Sequence, residues 1–356
     1  MDPLTHVAAG VLISQLVPTP SRFWSAVAGA AFALMPDVDY FLVWTDRLAF
    51  IRHHRGFTHS LAAIPLLALG GAGVSAAFGG REWFRPLLLL GLAVLASHLL
   101  LDLATSYGTQ IFSPLSRRKF SLDWIFIIDP YFTFILLAGA LAALCSPGWG
   151  RSAGSVCLSG AVVYLLLCGY YHHQALNLAR QVFQREAQAG AAVAALPQPF
   201  SCRRWQLIAA RPEEIKQALV QLPYLARPGL NGGVREVQAA AVSLSCPRAP
   251  AADYLPPESL IIQDWRAANP PLPAYAPDAQ RLLDLYLDFA RFPLLARAEP
   301  RDDGFLLDWV DLRFTVPGRA FPFVLQLHLD PEGRLLRGDL GRCVEEKAES
   351  GGRSGG

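Results

Sequence analysis

Long uncharged runs alternate with short polar loops over the first half of the chain. Residues 60–80, 130–150 and 152–171 carry no charged side chain, and 86–101 is a Leu-rich run interrupted only by His98. The first three are each long enough to cross a hydrocarbon core of roughly 30 Å. Two shorter Ala- and Gly-rich runs, 7–21 and 23–36, flank Arg22 just after Pro18-Thr19-Pro20-Ser21 and read as a short hairpin packed within a bundle. Six helices follow from this pattern. Beyond residue 171 the pattern changes. Residues 172–195 continue as a helical stretch leaving the membrane, and Ala- and Pro-rich 187–200 reads as a linker. Strands are expected near 204–210, 234–244 and 259–265, and a helix near 278–291 places Leu282, Leu285, Phe289 and Phe292 at helical spacing. Phe305 to Val316 and Phe321 to Leu329 read as a hairpin, with a turn at Asp330-Pro331-Glu332-Gly333 into another short strand. The expected fold is mainly α: a polytopic helical membrane bundle of four to six transmembrane helices over 1–185, a linker at 186–200, a small cytoplasmic α+β domain over 201–345 and a disordered tail at 346–356.

Charge follows the same division. Residues 1–185 hold 12 basic and 8 acidic side chains, whereas 186–356 hold 19 and 21. A mean hydropathy of +0.29 is too apolar for one uniform soluble globule. The net charge of +2 gives no electrostatic footprint for nucleic acid, so no nucleic-acid partner is expected. If the helices alternate sides, Arg47, Arg52, Arg55, Arg117, Arg118, Lys119, Arg180 and Arg185 share one side, against Arg22, Arg81, Arg85 and Arg151 on the other. The excess puts the first side, and the second half of the chain, in the cytoplasm. The six cysteines show no Cys-x-x-Cys pair and no disulfide framework, which favours a reducing compartment. No removable signal peptide is expected from Met1-Asp2-Pro3-Leu4-Thr5-His6.

The same alternation gathers the chemistry. All seven histidines of this half and seven of its eight acids fall on the cytoplasmic side, with only Glu82 opposite. Such groups at membrane depth are costly and mark functional sites. His98-x-x-x-Asp102 puts imidazole and carboxylate one turn apart on a single helical face. In His53-His54-Arg55-Gly56-Phe57-Thr58-His59-Ser60, Gly56 permits a tight bend that turns one or both of His53 and His54, with His59, toward one point, and Arg55 suits a phosphate or carboxylate. Pro36-Asp37-Val38-Asp39 offers two carboxylates on opposite sides of an extended turn, one for a metal and one to orient a ligand histidine. His6 lies on the first turn of helix one. Asp129-Pro130 reads as a helix cap, Asp123 is undecided, and His172-His173 read as interfacial anchors.

Taken in order, Thr5-His6, Pro36-Asp37-Val38-Asp39, His54-Arg55-Gly56-Phe57-Thr58-His59-Ser60 and His98-x-x-x-Asp102 resemble the YdjM-like family over roughly residues 1–135. Ala290-Arg291-Phe292-Pro293 and Val310-Asp311-Leu312-Arg313-Phe314 resemble its longer members. These are bacterial inner-membrane proteins, LexA-associated in the founding case, described as metal-dependent hydrolases. The resemblance implies that activity and location but no substrate.

Imidazole and carboxylate donors suit Zn²⁺, with Mn²⁺ or Fe²⁺ as alternatives. His6, Asp37, His54, His59, His98 and Asp102 are the expected ligands. Whichever of Asp37 and Asp39 is off the metal is the expected general base, and Arg55 the group that stabilises charge on a phosphoryl oxygen. The expected substrate is a phosphoester or lipid-like molecule reached from the membrane lipids. The rival reading is a divalent-cation transporter or channel, which would place its ligands near the midplane and open polar paths to both sides.

Overall fold

The computed structural model describes residues 1–41, 47–146, 148–212, 214–224, 235–239, 247–268 and 272–341. The expected tail at 346–356 lies outside the described residues, as do Cys246 and Cys343. Half the architecture is helical, with helices suited to membrane spans, and the C-terminal region is built on β-sheet.

All six expected apolar helices form: α1 (Pro3–Leu16), α2 (Arg22–Leu34), α4 (Ala63–Gly79), α5 (Phe84–Ala104), α6 (Pro130–Cys145) and α7 (Gly150–Val182). A short α3 (Arg47–His53) lies between α2 and α4, and α8 (Gln184–Gln188) follows α7. Among the described residues, two stretches are individually long and apolar enough to cross a membrane: 81–104, which includes α5, and Gly150–Val182. A third results if Arg47–His59 and Ala63–Gly79, bent by 74°, form one span. Helices α1, α2 and α6 are apolar but shorter.

Helix starts follow local chemistry. Asp2 and Asp129 accept hydrogen bonds from the Thr5 and Phe132 amides, each with proline in the first turn, and Ser21 accepts from Trp24. Small residues then set helix spacing. A Cβ on Gly10 would lie 2.4 Å from the Gly29 carbonyl oxygen, and a Cβ on Gly29 would meet Gly10 at the same distance, so α1 and α2 touch backbone to backbone. The ring of Phe32 fills the space that Cβ atoms on Gly71 and Gly91 would enter, joining α2 to α4 and α5. Large apolar side chains such as Phe78, Leu89, Phe134 and Val156 face outward, as lipid contact requires.

The chain divides into two compact units, residues 1–209 with 218–235 and 254–260, and the remainder. Strands are β1 (Ala192–Pro197), β2 (Arg204–Ala210), β3 (Glu214–Gln221), β4 (Arg235–Ala239), β5 (Ile261–Arg266), β6 (Pro293–Arg301), β7 (Gly304–Asp311), β8 (Val324–Leu329) and β9 (Leu335–Gly341). One sheet has the order β1-β2-β3-β5-β4; the other, β6-β7-β8-β9, is an antiparallel meander. The stretch expected as a linker, 186–200, thus contains strand β1. Helix α9 (Pro277–Phe289) packs on β8 and β9 through a face holding Leu283, Tyr286 and Phe289.

The Arg-Phe-Pro and Asp-Leu-Arg-Phe motifs of this half meet in one buried knot. Asp311, 1% exposed, accepts from the amides of Arg291, Phe292 and Arg313 and pairs with the Arg313 guanidinium at 2.8 Å. Arg313 in turn donates to the Phe289 carbonyl and lies over the Phe289 and Phe314 rings. These residues join α9 to the meander. His328, on β8, pairs with exposed Asp303 as a strand-face residue.

Candidate metal centre

Three turns and two helix ends bring the polar groups of the first unit together. Asp37 and Asp39 lie in a 3-10 turn, Pro36–Phe41, rather than the extended turn expected from sequence. At three residues per turn, positions two apart diverge widely, so the two carboxylates face different partners. Asp37 Oδ1 lies 3.2 Å from His59 Nε2 and 3.7 Å from His98 Nε2. Asp39 instead approaches His54 Nδ1 at 2.9 Å and accepts from the Arg55 amide at 3.1 Å.

The bend before His59 also differs from expectation. The residue with left-handed backbone is Arg55, at φ 58, whereas Gly56 has φ −88. Gly56 is needed for space: a Cβ there would lie 2.7 Å from the His53 carbonyl oxygen. The uncommon Arg55 conformation is pinned on both sides, its amide by Asp39 and its carbonyl by the Gln110 amide. His59 follows in a second 3-10 turn, Phe57–His59, and His98 and Asp102 come from the last turns of α5.

His59 Nε2 is 3.3 Å and His98 Nε2 3.4 Å from Asp102 Oδ2. Ligands about 2.1 Å from a tetrahedral ion are separated by about 3.4 Å, so these contacts have the edge lengths of a coordination polyhedron. Two donor sets, His59-His98-Asp102 and His6-Asp37-His98, each lie within 4.8 Å and share His98. The His98 ring stacks on His6 with centroids 3.7 Å apart, and His98 Nδ1 donates to the Ala33 carbonyl at 2.8 Å. That bond leaves Nε2 with the lone pair, directed at both carboxylates. One nitrogen lone pair serves one ion, so the shared histidine favours a single centre. His59 is held similarly, its Nδ1 lying 3.0 Å from Thr58 Oγ1 and 3.6 Å from Asp39 Oδ2.

The donor atoms are short of partners. His6 Nδ1, Asp37 Oδ2, His98 Nε2 and Asp102 Oδ2 are buried with no hydrogen-bond partner. Buried polar atoms are rarely left so, and four on residues of the two donor sets fit a divalent cation. For Asp37, burial alone would raise the carboxyl pKa, but the hydrogen bond from His59 and the neighbouring His98 and His6 outweigh it and hold the pKa below the ordinary value.

Arg55, expected to await a phosphate, is 3% exposed and already engaged. Its Nη2 lies 2.8 Å from Asp102 Oδ1, Nη1 donates to Thr105 Oγ1 at 2.9 Å, and the guanidinium covers the Tyr107 ring. Its Nε–H is buried without an acceptor. The Met1 α-amino group also contacts Asp102 Oδ1 and lies 3.1 Å from His6 Nε2.

His6, Asp37, His59, His98 and Asp102 therefore converge. His54, expected as a ligand, belongs to neither donor set; it stacks on Phe50 and is tied to Asp39. His53 points outward, and Asp129 caps α6 while accepting from the Tyr164 hydroxyl. Sequence reasoning missed Thr105 and Tyr107 as the holders of Arg55; their position just past Asp102 was the available signal. Replacing Asp39 with alanine is expected to weaken metal affinity 10- to 100-fold, the usual cost of losing an outer partner of a ligand, while metal still binds. Calorimetric titration of the metal-stripped protein measures it.

Residues 1–176 match the family described as YdjM inner membrane protein. The uncharacterized protein YfhP of Bacillus subtilis (strain 168) is 31% identical over 179 residues, a match covering 48% of this chain and 53% of YfhP. The chain thus spans about half the length of that curated relative. No solved structure matches. The matched segment contains every convergent His and Asp, so the whole candidate centre lies in the part of the chain that is similar to the YdjM inner membrane protein family.

Proposed function

We propose that the protein is an inner-membrane metal-dependent hydrolase acting on phosphoester, lipid-like substrates at the cytoplasmic face. The observation that carries this reading is the His59-His98-Asp102 donor set, with His98 fixed in the ligating tautomer by the Ala33 carbonyl. His59, His98 and Asp102 would supply the three protein ligands usual at catalytic zinc, and Mn²⁺ or Fe²⁺ also suit these donors. When bound, the ion acidifies water and polarises a phosphoryl oxygen.

The chain's own groups divide the remaining work. Asp39 is saturated by His54 and the Arg55 amide, so the base is Asp37, whose Oδ2 is free to take the proton. Arg55 holds Asp102 in place and offers its unpaired Nε–H to a phosphoryl oxygen. Val38, Tyr40, Phe41, Phe57 and Leu61, all exposed, lie on or beside the turns that carry Asp37, Asp39 and His59. Apolar side chains beside a polar centre suit a substrate presented from a lipid surface. The excess of loop arginines supports the cytoplasmic side, and the six apolar helices support a multi-pass bundle of four to six spans.

Full-length protein purified in detergent is expected to carry about one divalent ion per chain. It is expected to turn over a phospholipid or a generic phosphodiester, with activity lost on chelation and regained on adding Zn²⁺ or Mn²⁺. Metal uptake into proteoliposomes without hydrolysis would replace this reading with transport.

A further inference from the structure

The cysteines are scattered in sequence, but two of them meet in the first unit. Cys168 lies on α7 and Cys202 in the turn between β1 and β2, where Cys202 packs against the buried cluster that contains Cys168 and the two thiols are neighbours. The approach is set by register rather than by one contact. Cys168 and His172 are one turn apart on the same face of α7; the first meets Cys202, and the ring of the second lies 5.6 Å from that of Trp205. Trp205 is fully buried, and its indole N–H donates to the Cys202 carbonyl at 3.1 Å, fixing the turn that presents the thiol. The pair is also asymmetric. Cys168 is 1% exposed within the helical core, whereas Cys202 is only partly covered.

We propose that Cys168 and Cys202 form a reversible disulfide, made by exchange with a low-molecular-weight disulfide such as oxidised glutathione. The neighbouring Cys168 side chain, aided by a backbone hydrogen bond at Cys202 and by the Arg203 charge, outweighs burial and lowers the Cys202 thiol to about 7, which makes Cys202 the attacking thiol of the pair. The Cys202 thiolate attacks one sulfur of the glutathione disulfide. A Cys202–glutathione bond forms, the glutathione S–S bond breaks, and one glutathione leaves as thiolate. Cys168 then gives its proton to that thiolate or to water and attacks the Cys202 sulfur. The protein disulfide forms as the second glutathione departs. Two protein thiols are oxidised and one glutathione disulfide is reduced to two thiols. The product staples α7 to the β1–β2 turn, and a reducing compartment keeps it transient, as in redox-sensing pairs.

The test uses reduced, full-length protein in detergent, treated with oxidised glutathione and mapped by peptide mass spectrometry after blocking free thiols. A Cys168–Cys202 cross-link is expected as the main product, reversed by dithiothreitol. In Cys168→Ser the exchange should stop at a stable glutathione adduct on Cys202. Brief alkylation of the reduced wild type should label Cys202 and spare Cys168, a readout that needs no variant. An adduct persisting equally on Cys202 in wild type and Cys168→Ser would overturn the proposal. So would a cross-link from Cys202 to Cys246 or Cys343, or labelling of Cys168 ahead of Cys202.

Discussion

His98→Ala and Asp102→Ala are each expected to reduce bound metal from about one ion per chain to near zero and to abolish hydrolysis. Losing an outer partner already costs 10- to 100-fold in affinity, so losing a donor from a three-residue set should cost more than roughly 100-fold. His98→Ala is the cleaner variant. It removes one nitrogen and the hydrogen bond to Ala33, and leaves the Asp102–Arg55 pair intact. Asp102→Ala additionally strands Arg55, a buried cation, and an unpaired buried charge costs about 3–5 kcal/mol. Against this, carrying Asp at bilayer depth itself costs about 3 kcal/mol, so the variant should still insert. Metal-to-protein ratio and turnover, measured on monodisperse protein, decide the matter. If these residues were only a structural pair, wild type would carry no stoichiometric metal and His98→Ala would aggregate. Normal turnover in either variant would remove the proposed mechanism.

The second large effect lies in the strand-rich half. Asp311→Ala should destabilise the second unit by about 3–5 kcal/mol, because it deletes one partner of a buried ion pair and leaves Arg313 unpaired. Three amides, those of Arg291, Phe292 and Arg313, lose their acceptor as well. For a unit of about a hundred residues this corresponds to a fall in melting midpoint of roughly 15 °C or more. Limited proteolysis should cut the variant within 277–341 at temperatures where wild type resists. Bound metal should be unchanged, since every donor lies between residues 6 and 102. Metal loss in Asp311→Ala would show that the second half contributes to the site.

The six apolar helices were legible because absence of charge over a whole run is a strong signal. The Asp-Pro starts of α1 and α6 were legible because capping is local. The strands were less so. Strand β1, Ala-Val-Ala-Ala-Leu-Pro, reads as linker since alanine and proline are poor strand formers. Strand β3, Glu-Ile-Lys-Gln-Ala-Leu-Val-Gln, has the composition of a helix, and β6 both begins with proline and contains Pro300. At the site, the gathering of His and Asp at one end of the bundle was legible from their cost in an apolar sequence. The division of labour was not. It rests on a 3-10 turn that separates Asp37 from Asp39, on Arg55 reaching the distant Asp102 carboxylate, and on a backbone carbonyl at Ala33 that leaves no mark in the side-chain pattern.

The confinement of the donors to residues 6–102 also fixes when the centre is complete during synthesis. A chain made from its N-terminus delivers His6, Asp37 and His59 first, and these wait as unmatched polar groups in a partial bundle. The arrival of α5, carrying His98 and Asp102, closes the set in a single step. At that moment none of the strands among the described residues has been translated, so the proposed metal uptake would need none of them.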